Sequence, residues 1–412
     1  MHNLLILESS LPYPVAHGGF LRVFNLMREL SRTHECHLVV LAEIEPVPEP
    51  LKRVFRTCRF FPAPPIAKSW RRFFASTSDR FWAPSAPEFF RHTVQSLQRL
   101  IDALHIDTVV ATSIYVAEFL RPLRNVGKVV DACDCLTLAH ERANQYGVPA
   151  RGMDPRGIAD RLDFSRVRRI EAGLTRHADL VTTVSPADQA RLRALNGYRE
   201  EAIQVLPNGV SLEFLRAGGD APLQERAIVF WGVLDFPPNE TAVQYFYQRV
   251  FVPYLRSKNV HWYIVGRNPS PSILEIGKLE ANVTVMGYVE DLVGLVRRVP
   301  IVINPMVIGS GVKNNVLEAF AMGRLVITTS LGVEALDVED GVDCIVIDDP
   351  EEFAKGIVYF LDKPLERHRI AGYAQGLISD NYTWDKVAAR FEKLVNAHAP
   401  AESSKFEETR FR

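Results

Sequence analysis

The sequence predicts an α/β protein of two parallel-sheet domains in series, and three observations predict it. Short apolar runs of strand length alternate with helical periodicities along the chain, the pattern of parallel sheets crossed over by helices. The alternation falls into two series, separated by a turn-rich stretch containing Gly218-Gly219-Asp220-Ala221-Pro222. At 412 residues the chain exceeds what a single hydrophobic core usually organises, so two domains of roughly 200 residues each are the default.

Taken in order, residues 4–7 read as the first strand, followed by the Pro12-Tyr13-Pro14 loop and by His17-Gly18-Gly19 opening a helix. In that helix Phe20, Val23, Phe24, Met27 and Leu30 recur at helical spacing, and Arg22, Arg28 and Glu29 are expected off the apolar face. Further strands are expected at residues 37–41, 108–112, 128–131, 180–184 and 203–206, the last running into the turn Pro207-Asn208-Gly209-Val210. The second series places strands at 227–231, 261–265, 283–286, 300–304, 325–328 and 344–347, with helices at 241–255 and 351–361. A last amphipathic helix at 382–395 carries Trp384, Val387, Phe391 and Leu394. The expected division is therefore a first domain at 1–210, a linker at 211–225, a second domain at 226–380, a terminal helix at 381–398 and a disordered tail at 399–412. Two sheets in series imply a cleft into which the C-terminal ends of strands point.

Composition bounds the function. A hydrophobic share of 47% with 24% charged residues is that of a globular protein, and no stretch has the roughly 20 apolar residues of a membrane span. Five scattered cysteines, with Cys133-Asp134-Cys135 lacking the two-residue spacer of redox or zinc motifs, point to a reducing cytoplasm. Residues 1–210 hold 27 Lys+Arg against 22 Asp+Glu, and residues 211–412 hold 21 against 27. Between Lys52 and Arg99 ten basic residues face only Asp79 and Glu88, interleaved with Phe60, Phe61, Trp70, Phe73, Phe74, Phe81, Trp82, Phe89 and Phe90. That mixture suits an amphiphilic acceptor or peripheral contact with an anionic membrane at the inner face of the cytoplasmic membrane, and it equally suits a core helix with a solvated basic face. Nucleic acid is not expected, since the whole chain is not basic and carries no recognised binding motif.

The most informative segment runs from Pro305 to Gly323: a strand end, the turn Gly309-Ser310-Gly311-Val312-Lys313, and an amphipathic helix containing Glu318. A helix opening after Gly-Ser-Gly presents unpaired N–H groups and the positive end of its dipole, which favour an anion such as a diphosphate. Lys313 in a first helical turn opposes that dipole, and a phosphate bridging lysine and turn accounts for its placement. Glu318 lies five residues on, roughly 7–8 Å along the axis, a plausible offset for a carboxylate holding ribose hydroxyls. An ordinary crossover with solvent-facing Lys and Glu is the other reading.

With these residues in place the chain resembles the GT-B-fold glycosyltransferases, and within them the retaining family 4 enzymes, most closely the bacterial members of exopolysaccharide and cell-surface glycan assembly. The ordered set carries the likeness: Leu11-Pro12-Tyr13-Pro14 with Gly18-Gly19 and Arg22, Val130-Asp131-Ala132-Cys133-Asp134, Arg168 to Glu171, Ala178-Asp179-Leu180-Val181, and Pro207-Asn208-Gly209-Val210. It continues through Gly232 to Asn239, Ile264-Val265-Gly266, the Gly-x-Gly-x-Lys turn with Leu317-Glu318-Ala319, and the Tyr382-x-Trp384 helix. The resemblance implies two Rossmann-like domains facing across a cleft, the first taking the acceptor and the second the nucleotide sugar, with the last helix crossing back to the first. It implies transfer of a hexose-type sugar from a nucleoside-diphosphate sugar to a glycan or lipid-linked hydroxyl, with no cofactor beyond that co-substrate and no metal. Glu318 matches the ribose-holding second glutamate of the family signature, whereas the first glutamate falls at Ser310. The family's Arg and Lys after the first strand of the second domain are replaced roughly by Val233 and Pro238, so Lys313 and Arg267 are the candidates to balance the diphosphate, Arg267 being equally readable as a surface residue after a strand.

The candidate catalytic residues are thus Asp131, Asp134 and Lys313, and the candidate donor-binding set is Gly18, Gly19, Arg267, Gly309, Ser310, Gly311, Val312, Lys313 and Glu318. Gly18 and Gly19 permit close backbone approach to a ligand at the first strand–helix turn, or form a plain tight turn. Asp131 and Asp134 sit where an acceptor hydroxyl's proton is accepted, or else cap a helix or pair with Arg142 or Arg168. Glu171 reads as an ion pair with Arg168. The rival readings are a non-catalytic protein that holds a nucleotide sugar or glycan, and a nucleotide-sugar epimerase.

Overall fold

The computed structural model describes residues 2–14, 18–64, 79–147, 164–197, 199–215 and 225–398. His17, the aromatics Trp70, Phe73 and Phe74, most of the expected linker and the expected tail lie outside the described residues. The chain divides into two units, one of Met1–Leu206 with Val387–Arg412 and one of Pro207–Lys386.

The first unit is built on seven parallel strands, β1 (Asn3–Glu8), β2 (Glu35–Val40), β3 (Thr57–Phe60), β4 (Thr108–Ala111), β5 (Gly127–Cys133), β6 (Leu180–Thr183) and β7 (Ile203–Val205), in the order β3-β2-β1-β4-β5-β6-β7. Leu4, Leu5, Ile6 and Leu7 are all buried, as a strand covered by helices on both faces requires. Strand β3 was not anticipated. It is an edge strand paired only with β2, its Arg59 is exposed, and edges tolerate such charge without showing a hydrophobic run.

The second unit carries six parallel strands, β8 (Ala227–Trp231), β9 (His261–Val265), β10 (Val283–Gly287), β11 (Ile301–Asn304), β12 (Leu325–Thr328) and β13 (Ile345–Val346), in the order β10-β9-β8-β11-β12-β13. Its core centres on Trp262, whose ring lies 4.8 Å from that of Phe246 and 5.6 Å from that of Phe251. The helix expected at 241–255 begins as an α-helix at Pro237–Phe246 and widens into a π-helical stretch, Tyr247–Leu255. Pro253 lies inside that stretch, where its ring and missing N–H oppose a regular α-helical ladder.

Both sheets reverse their strand order beside the first strand laid down, between β1 and β4 and between β8 and β11. Ligands of open parallel sheets sit outside the strand C-termini at that point, so topology alone selects the loops after β1, β4, β8 and β11. The last helix, Trp384–Ala397, returns to the first unit, where Glu392 pairs with His34 at 2.7 Å and accepts from Thr33 at 3.3 Å. Among the described residues no helix is long and apolar enough to cross a membrane.

Candidate active site

In the second unit β11 runs into the glycine turn, and the helix Asn314–Ala321 follows. Gly309 and Gly311 have φ of 113° and 70°, backbone that L side chains rarely adopt, and a Cβ on Gly309 would stand 3.6 Å from Pro238. Pro238 belongs to the helix that follows β8, so the turn lies against the loop across the switch point. Lys313 is the residue before the helix, not part of its first turn. Its Nζ donates to the carbonyls of Ser310 and Gly311, each at 2.9 Å, and so clasps the turn. Contact with a diphosphate requires it to exchange those carbonyls for phosphate oxygens. Ser310 and Val312 are half-buried in the same turn.

Glu318, on the second turn of the helix, is held from β8: its Oε2 accepts from Trp231 Nε1 at 3.0 Å. Burial is the main cause that pushes its carboxyl up to about 7, the indole bond opposing and Glu213 assisting. Beneath it a polar network ties the helix to both strands. Asn315 donates to the Trp231 carbonyl at 2.9 Å and accepts from Asn304 at 3.1 Å, while Asn208 donates to Asn314 at 3.0 Å. Arg267 follows Gly266 at the end of β9, and its guanidinium has no hydrogen bond or ion pair among the described residues. The loop after β8 reaches it through Leu234 N–H, which donates to the Arg267 carbonyl at 3.0 Å. The loops and helix after β8, β9 and β11 thus carry a glycine turn, two cations and a buried carboxylate at the C-terminal edge of one sheet.

The other candidates lie in the first unit. Gly18 and Gly19 start the helix Gly18–Leu30 after β1, and Glu8, buried at the end of β1, accepts from Thr112 at 2.6 Å at the end of β4. Arg22 is not off the apolar face as expected but 1% exposed, donating to Asp131 through Nε at 2.7 Å and Nη2 at 3.0 Å. Thr182 adds a third donor to Asp131 at 2.8 Å. Asp131, 2% exposed, therefore couples helix to sheet inside the unit and does not present a carboxylate to an acceptor, a correction to its placement among the catalytic residues. Asp134 stays half-buried one residue past β5. Before it Cys133 takes a left-handed φ of 61° after a register shift, strain of the kind that re-aims a side chain at a site.

Glu171 does not pair with Arg168. Fully buried, it accepts from the N–H groups of Leu136 at 2.7 Å and Thr137 at 3.0 Å, the start of the helix Leu136–Gln145. Asp188 accepts from the preceding Cys135 N–H at 2.9 Å. Two carboxylates of the chain itself thus fill the helix N-terminus after β5. A third, Glu118, accepts from Phe81 N–H at 2.8 Å, Ala83 N–H at 3.2 Å and Trp82 N–H. The aromatics around it, Phe81, Trp82, Phe89 and Phe90, are half-buried and pack against the buried cluster that includes Phe119. Trp231, Asn304 and Asn315 escaped the sequence reading; the available signal was a polar residue closing an otherwise apolar strand, as in Ile301-Val302-Ile303-Asn304.

Comparison with known proteins follows this geometry. A family model described as a glycosyl transferase 4-like domain matches residues 18–209, and one described as glycosyl transferases group 1 matches residues 225–363. The fold is similar to that of HepE from Anabaena, solved in complex with UDP and glucose, at TM-score 0.67 and 16% identity over 96% of this chain and 100% of that one. It is similar to sucrose-phosphate synthase from Thermosynechococcus elongatus at TM-score 0.68 and 17% identity, covering 96% and 99% of the two chains. TarM gives TM-score 0.69 at 11% identity, covering 96% and 99%. An uncharacterised 44.6 kDa protein in the cps region of Klebsiella pneumoniae is 34% identical over 87 residues, which are 21% of this chain and 22% of that protein, so the match spans about a fifth of the curated relative.

Proposed function

The chain belongs to the glycosyltransferases, its two units matching the 4-like and group 1 models of that family, and from this premise we propose that it moves a hexose-type sugar from a nucleoside-diphosphate sugar to a hydroxyl of a glycan or lipid-linked acceptor, with retention. The observation that carries the reading is the glycine turn at the β8–β11 switch point, with Lys313 beside it and Glu318 held by Trp231. The turn's N–H groups, Lys313 and Arg267 meet the charge that develops on the departing diphosphate, and this chain supplies that stabilisation without a metal. Asp134, at the mouth of β5, is the residue assigned to the acceptor hydroxyl's proton. The UDP and glucose in HepE support a nucleoside diphosphate as donor, and the cps-region relative supports a surface glycan as acceptor.

The test is a thermal-shift screen against nucleoside diphosphates and their sugar conjugates, followed by a transfer assay with and without EDTA. A ligand of the native state at 100 times its Kd adds about 2.7 kcal/mol, a readable shift. One base is expected to stand out, and transfer is expected to persist in EDTA; a folded chain that no diphosphate stabilises removes the donor assignment. Ser310, where the family has its first signature glutamate, favours a second reading, binding without turnover. Tight binding with no transfer or hydrolysis under any acceptor selects it.

Contact with an anionic membrane through residues 52–99 is proposed in narrower form. Phe81, Trp82, Phe89 and Phe90 are half-buried against the core, whereas Arg53 and Arg59 are exposed without a hydrogen bond or ion pair among the described residues. Wild-type chain is expected to sediment with phosphatidylglycerol vesicles at low salt and R53E/R59E to stay in the supernatant; equal sedimentation of the two discards this contact.

A further inference from the structure

At the opposite end of the first sheet from Asp134 lies a cavity of about 400 Å³, at the N-terminal ends of β5 and β6. It is lined by Arg121, Lys128, Arg176 and Arg199, with Asp179 as the one carboxylate and His177 in its wall. Lys128 is the second residue of β5 and Asp134 follows its last, so six residues separate them, roughly 20 Å of extended chain.

The charges are only partly spent on one another. Asp179 accepts from the Lys128 N–H at 3.0 Å and stands 3.9 Å from Arg199, while Arg176 is held by Asp79 at 2.9 Å. Lys128 Nζ donates to the Arg121 carbonyl at 3.2 Å, and the Arg121 guanidinium has no hydrogen bond or ion pair among the described residues. His177 is 2% exposed, its ring nitrogens are closed off from solvent, and among the described residues the Asp79 backbone is the group placed to accept from them, short of good hydrogen-bond geometry. A buried imidazole with so marginal an acceptor is costly, and Arg121 and Arg80 nearby add to the cost of charging it, a cost that a bound anion would relieve. Burial holds the ring neutral, its value lowered to about 4, with Asp79 opposing.

We propose that this cavity is an anion site for a phosphate-bearing group, with Arg121 and Arg199 on its oxygens and His177 in the wall behind them, where its ring senses the bound charge. Its volume falls in the range of small-molecule pockets, so it takes a phosphorylated small molecule or a phospholipid headgroup, and one phosphate neutralises the excess of cations. Nothing in the donor site is needed for it, because the glycine turn belongs to the other unit.

The experiment reads His177 directly. Full-length chain carrying ¹³C-labelled histidine is titrated with inorganic pyrophosphate, the His177 signal being assigned by its loss in His177→Gln. A saturable movement of that signal, unmatched by chloride at equal ionic strength, is expected, with Arg121→Glu weakening it about tenfold or more, the loss of one charge-assisted contact. Arg121 is exposed, so the variant is expected to fold, and the chloride control stands without it. A second arm follows the same signal with phosphatidylglycerol vesicles: movement with vesicles that Arg121→Glu weakens identifies a headgroup as the source, and movement with pyrophosphate alone identifies a soluble phosphate. A His177 signal that moves with neither, or equally with chloride, overturns the proposal.

Discussion

Replacing Arg22 with alanine is expected to lower stability by about 3–5 kcal/mol, the cost of removing one partner from a buried ion pair. The residues left behind explain the size. Asp131 would remain inside the first unit at 2% exposure with only Thr182 among the described residues to donate to it, its two guanidinium contacts at 2.7 Å and 3.0 Å gone. The pair also joins the helix Gly18–Leu30 to β5, two elements far apart in sequence, so its loss loosens the first switch point as a whole. Exchanging both partners for apolar side chains, as in R22M/D131L, removes the orphaned charge and is expected to recover most of the loss. Urea unfolding followed by circular dichroism measures this. Nucleoside diphosphate affinity serves as the control, because the glycine turn, Lys313 and Glu318 belong to the other unit, and it is expected to stay unchanged. An R22A chain within about 1 kcal/mol of wild type, as for a surface pair, would show that the pair does not hold helix to sheet.

That pair also shows where the sequence stopped being legible. Strands β1 and β8 were readable because Leu4–Leu7 and Ala227–Trp231 are buried on both faces and so apolar throughout. The same rule hid Arg22, since helical spacing assigns a charged residue to the solvent side and cannot see a carboxylate that arrives from a strand more than a hundred residues later. Glu171, Asp188 and Glu118 were hidden for a related reason: each caps a helix start distant in sequence, and cap signals are local. The donor site was more legible because glycines, lysine and glutamate lie within one short segment and their chemistry depends on backbone spacing. What that segment could not reveal was the part contributed from elsewhere, the Trp231 indole on Glu318 and the asparagines beneath.

Replacing Glu318 with glutamine is expected to weaken nucleoside diphosphate binding by about tenfold to a hundredfold, the loss of charge-assisted bonds from two ribose hydroxyls. A pH series makes the assignment specific. The carboxyl is raised from its ordinary value of 4.5 to about 7, chiefly by burial, so the folded chain holds this proton more tightly than the unfolded chain. Stability therefore falls as pH rises from about 4.5 to about 7 and stays lowered above that, by about 3 kcal/mol in full. Glutamine carries no such proton, so E318Q is expected to be the more stable chain at pH 8 and the weaker binder. Ribose hydroxyls donate to the ionised form, so binding draws off the proton, and wild-type affinity is expected to climb between pH 6 and 8 more steeply than that of E318Q. The titration of the diphosphate itself enters both chains equally and cancels in the ratio. Calorimetry of both chains with whichever diphosphate the thermal screen selects measures that ratio. A ratio that is flat with pH and close to one places the ribose elsewhere, while a flat ratio well above one keeps the contact and assigns it to a carboxylate already ionised.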